Sequence, residues 1–124
     1  MRKSLYLVTA LVFVSVLLAA CGGGGDSGDD PAVEAGKKLF AETVIGIQAG
    51  CITCHSLSAG QVVVGPSIAG IASRGDANYI RNSILDPNAD LVDGYPADTM
   101  PNVWGSELSG EQVDQLVAYL VTLK

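Results

Sequence analysis

The sequence predicts a small all-α domain with substantial loop, and three observations carry that prediction. Apolar residues recur at helical spacing in two segments of the C-terminal half, Asp93 to Pro101 is marked as loop by Gly and Pro, and no convincing alternating strand pattern appears.

The first twenty residues stand outside the fold. Arg2 and Lys3 precede an uncharged, Leu- and Val-rich run from Leu5 to Ala20, the pattern of a secretory signal. The run is shorter than the roughly 20 apolar residues of a spanning helix, which leaves cleavage or a short uncleaved anchor as outcomes. It ends in Leu18-Ala19-Ala20-Cys21. This resembles the bacterial lipobox, in which small residues before a Cys admit a lipoprotein signal peptidase and the thiol carries a diacylglyceryl group. The resemblance implies a mature chain that begins at a lipidated Cys21. The plainer alternative is an unmodified Cys after an ordinary signal peptide. Gly22 to Asp30 is too polar and flexible to pack, and reads as a tether with a span of roughly 15 to 20 Å. Residues 21–30 would then hold the domain, residues 31–124, at a membrane surface in a bacterial cell envelope, outside the cytoplasm.

Within the domain, a middle helix is expected from about Asn78 to Leu85, with Ile80 and Ile84 on one face and a stop before Pro87. The last helix is announced by Ser109 with Gln112 three residues on, a capping-box pattern, and by Leu108 and Val113 at staple positions. Val113, Leu116, Val117 and Leu120 then form one apolar stripe. Gln61 to Val64 is a short β-branched run suited to extended chain. Fewer than a hundred residues with few large aromatics give a marginal core. An apolar cofactor would complete it, so the cofactor-free domain is expected to fold poorly.

All thirteen acids lie after Cys21, so removal of Arg2 and Lys3 with the signal leaves five bases against thirteen acids, a balance of −8. Such a surface argues against nucleic acid or anionic lipid as a target. It serves either simple solubility or a partner with a basic docking patch.

Assigning Cys21 to the anchor leaves Cys51 and Cys54 as a pair in Cys51-Ile52-Thr53-Cys54-His55. A closed zinc site needs four ligands, and two thiols with the single His fall short. A thioredoxin-like pair would sit in a βαβ pattern that is not seen, and a plain disulfide has no use for His55. Covalent haem attachment uses all three residues: the thiols add to the haem vinyl groups and His55 becomes the proximal ligand of the iron. His55 is the only histidine, and Met100 is the only methionine after the signal, placed before Pro101 in the stretch expected to be loop. A loop can wrap a flat cofactor and deliver a thioether to its far face, which makes Met100 the candidate second axial ligand.

With these residues in place, the stretch from about Ala32 to Leu123 resembles class I cytochromes c, especially bacterial monohaem domains fused to or serving terminal oxidases. Gly36 and Phe40, in a helix over Val33 to Phe40, and Tyr119 in the last helix match the family's N- and C-terminal helices, which cross closely at the Gly. The resemblance implies a cytochrome c-like fold with loops wrapped around one covalent haem c. Gly65-Pro66 to Arg74 looks like the family segment in which a Pro carbonyl accepts the proximal His proton and a later Arg reaches a haem propionate. Pro66 and Arg74 have plainer roles beside these, as a turn and as a solvated charge. Tyr95 and Trp104 flank the methionine loop, either filling the core or hydrogen bonding to a propionate or to the methionine side. The approach from Ala41 to Gly50 is longer than in many family members.

Ligands on both faces leave iron no open position, which favours one-electron transfer over catalysis. The expected partner is a redox protein or membrane complex, such as an oxidase, a quinol-oxidising complex or a photosynthetic reaction centre. The alternative is a peroxidase or a gas sensor; peroxidase chemistry calls for a distal acid-base group, no second His exists, and Arg74 alone is weak support. A permanently bound cytochrome subunit remains a third class, and an exposed apolar patch would mark it.

Overall fold

The computed structural model describes residues 30–124. The expected signal, Cys21 and most of the expected tether lie outside the described residues. Helix α1 spans Pro31–Ala41. Asp30 caps it by accepting from the Ala32 amide at 2.8 Å, and Pro31 at the first position sacrifices no helical bond. A short antiparallel pair follows, β1 (Val44–Ile45) with β2 (Gln48–Ala49). Next come the single-turn helix α2 (Cys51–Cys54), a 3-10 turn (Ile71–Ser73), α3 (Ala77–Leu85), the single-turn α4 (Trp104–Glu107) and α5 (Gly110–Leu120).

The expected helices are present. Asp76 caps α3 by accepting from the Tyr79 amide at 2.8 Å, and Ile80 and Ile84 are buried as the pattern required. Ser109 and Gln112 make both bonds of the capping box on α5, at 3.2 and 2.9 Å, while Leu108 and Val113 are both buried. Among the described residues, the one paired extended segment lies elsewhere than the β-branched run. Residues 61–64 form no strand, whereas the 41–50 approach contains the β1–β2 hairpin, turned through Gly46 at a φ of 60° and pinned by buried Ile45. Two-residue strands are too short to display an alternating pattern.

Helices α1 and α5 cross closely and form the frame of the domain. A Cβ on Gly36 would lie 1.9 Å from the Gln115 carbonyl oxygen, so this crossing requires glycine. One turn on, the Phe40 and Tyr119 rings pack tilted, with centroids 5.8 Å apart. Arg81 on α3 pairs with Asp114 on α5, and the 3-10 turn is tied to the chain end by Ala72 N–H donating to the Leu123 carbonyl at 3.0 Å. No helix among the described residues is long and apolar enough to cross a membrane.

Candidate functional site

The frame leaves a large apolar cleft between α1, α3, α5 and the loops. Phe40, Ile80, Trp104, Leu116 and Leu120 belong at once to the core and to the cleft wall. Cys51, Cys54, His55, Pro66, Tyr95, Met100 and Trp104 line it together. Arg74 does not: its guanidinium donates to the carbonyls of Ser67 at 2.7 Å and Ala69 at 3.3 Å, among the backbone of its own loop.

The turn of α2 sets the two sulfurs and the imidazole on the cleft. His55 N–H donates to the Cys51 carbonyl at 2.9 Å and ends the turn. The amides of Val64 and Gly65 then donate to the Cys54 carbonyl at 3.2 and 2.8 Å, folding the next segment back against the ring. Buried Ser56 fastens that return, accepting from the Ser58 amide at 2.9 Å while its carbonyl accepts from Ile68 N–H at 2.8 Å. Neither sulfur is joined to the other in a disulfide. Burial pushes the Cys51 thiol up to about 11, against an opposing backbone hydrogen bond and with a smaller push from Cys54. The site therefore favours an uncharged sulfur, as a thioether is.

His55 Nδ1 lies 2.9 Å from the Pro66 carbonyl oxygen. A carbonyl only accepts, so Nδ1 carries the proton and Nε2 keeps a lone pair for a metal. Trp104 is 4% exposed, and its indole N–H is buried with no partner among the described residues. A buried donor without an acceptor at a cleft wall fits a ligand that brings polar atoms of its own. Together, an apolar cleft, two adjacent free thiols, a metal-ready imidazole and a thioether fit a large, flat, mainly apolar group carrying a metal.

The sequence alone did not reveal Gly65, whose missing side chain lets the backbone lie against His55, nor the pairing of Asn88 with Asp98 beside the Met100 loop. The family model for Cytochrome c matches residues 33–124, well over half of the chain. No curated protein matches it.

Proposed function

This chain belongs to the cytochrome c family and is a haem-based electron carrier, and from that premise we propose that His55 and Met100 are its axial ligands in a membrane electron-transport chain. A haem c bonded covalently through Cys51 and Cys54 supplies the one-electron Fe(II)/Fe(III) couple. The observation that carries the ligand assignment is that the chain's one imidazole and the one thioether after the signal line the same cleft. Pro66 fixes the imidazole through Nδ1, and the apolar wall would shield a haem held in the cleft from water. A chain that fills both axial positions leaves none for peroxide, which supports a carrier over an enzyme.

The class I family type, kinship with oxidase-serving domains and the lipid anchor at Cys21 belong to the same proposal, as does a membrane-anchored place in a bacterial cell envelope, outside the cytoplasm. So does a propionate contact by Trp104 or Tyr95, both on the cleft wall; a reach by Arg74 would require it to leave the carbonyls it now serves. No Lys or Arg occurs from residue 82 to 123, while Asp86, Asp90, Asp93 and Asp98 are exposed near or within the loop leading to Met100. That charge supports a partner with a basic docking patch. The exposed run Val62-Val63-Val64 supports a lasting contact with that partner as well as a passing one.

The test of ligation is carbon monoxide binding by the reduced protein at neutral pH. Slow binding is expected, and rapid binding would reopen the enzyme reading. The anchor is tested by fatty-acid labelling, expected to vanish in Cys21→Ser; label that persists in this variant removes the assignment.

A further inference from the structure

Met100 is delivered by residues 86–103, a stretch between α3 and α4 that contains no regular element. Its backbone is tied only locally: the Ala89 amide donates to the Asp86 carbonyl at 3.1 Å and the Tyr95 amide to that of Val92 at 3.1 Å. A loop held only so would open readily. One pair of side chains joins its two ends. Asn88 Nδ2 donates to Asp98 Oδ1 at 2.8 Å, and Asn88 Oδ1 accepts from the Asp98 backbone amide at 2.9 Å. Asp98 has a φ of 62°, the single non-glycine residue with positive φ among those described. Asp and Asn enter that region more readily than other side chains, yet something must hold them there.

We infer that Asn88 and Asp98 form a clamp that positions Met100. Asn88 is half-buried and lines the cleft, and Asp98 stands two residues before the sulfur. Thr99 tightens the step between them, its hydroxyl donating to the Pro96 carbonyl at 2.9 Å. The clamp needs a donor and an acceptor on one side chain at position 88, which an amide supplies. A carboxylate there would keep the bond to the backbone amide but would lose the donor and face a second carboxylate. Exchanging the two side chains restores both bonds, because an amide at 98 then donates to a carboxylate at 88. Asn88 and Asp98 are positioning residues, and their role rests on Met100 being an axial ligand as proposed above.

The test uses haem-loaded protein and three readouts: the sulfur-to-iron charge-transfer absorption of the ferric form, the rate of carbon monoxide binding to the ferrous form, and the far-ultraviolet circular dichroism. Wild-type protein is expected to show the sulfur absorption. Asn88→Asp is expected to weaken it with helical content unchanged, and to speed carbon monoxide binding about tenfold, as the open fraction of the loop rises. The double variant Asn88→Asp/Asp98→Asn is expected to return both signals to within about twofold of wild type. If Asn88→Asp matches wild type in both readouts, or if the double variant fails to recover them, the clamp is overturned. Should the single variant lose its helices, the double variant decides alone: wild-type helix with wild-type absorption supports the clamp, and absent absorption overturns it. Wild-type protein without the sulfur absorption overturns Met100 ligation itself, a failure distinct from that of the clamp.

Discussion

His55 is held from one side by the Pro66 carbonyl, 2.9 Å from Nδ1, and Gly65 leaves the space that lets that carbonyl approach. A Cβ on Gly65 would lie 2.6 Å from the imidazole Cε1 and 2.9 Å from Nδ1. Gly65→Ala is therefore expected to displace the ring while leaving both thiols able to hold haem. The loss should be about 1–3 kcal/mol of stability, typical of overpacking. Thermal melting with reduction-potential measurement checks it; wild-type values for both would show that the ring yields without cost.

Gly36 makes a similar demand on the α1–α5 crossing, where Cβ would stand 1.9 Å from the Gln115 carbonyl oxygen and 2.9 Å from Tyr119 Cβ. Gly36→Ala gains up to about 1 kcal/mol of helix propensity. The clash is with backbone, which cannot rotate away, so a net loss of about 1–3 kcal/mol is expected. Each kcal/mol lowers Tm by roughly 4–8 °C in a domain this small. Gly105→Ala is the control, since its nearest neighbour is Leu85 Cδ2 at 4.0 Å. Its Tm should hold or rise, and equal losses in the two variants would refute the argument from the crossing.

The parts of this fold that were legible in the sequence are those written in local spacing. The capping box at Ser109 and Gln112, the stripe from Val113 to Leu120 and the Cys51 to His55 motif each fit within a few turns of chain. What escaped depends on distant partners. Asn88 and Asp98 are ten residues apart and meet only because the loop closes, and Gly65 matters only because His55 is folded against it. Helix α4 begins at Trp104, after Val103, whose side chain makes no cap, so no local signal announced it. A propionate role for Arg74 follows from resemblance and from the fit of a guanidinium to a carboxylate, whereas its contacts in this fold are carbonyls of its own loop.

Phe40, Ile80, Trp104, Leu116 and Leu120 form the wall of the cleft as well as the core, so a haem bound there would be the other half of their packing. Small domains keep only about 5–15 kcal/mol of net stability, and exposing this wall to water consumes a large part of it. The variant Cys51→Ala/Cys54→Ala, purified without haem, is expected to lose most of its helical circular dichroism. Native-like helix content in that protein would show that α1 and α5 suffice without the group between them.

Trp104 distinguishes a filler from a hydrogen-bond donor at the cleft wall. Its indole N–H is buried without a partner among the described residues, and an orphaned donor costs about 1–3 kcal/mol. If a haem carboxylate accepts that bond, the donor favours the ionised carboxylate and holds its pKa down. Trp104→Phe would then raise that pKa, moving the pH-dependent part of the reduction potential to higher pH. The ring remains large and apolar, so helix content should be kept. If the indole only fills space, the pH profile will not move, and removal of an unsatisfied donor will offset the loss of ring volume. Titrating the potential of both proteins across the acidic and neutral range decides between the two, because packing alone alters stability without changing which pH the carboxylate answers to.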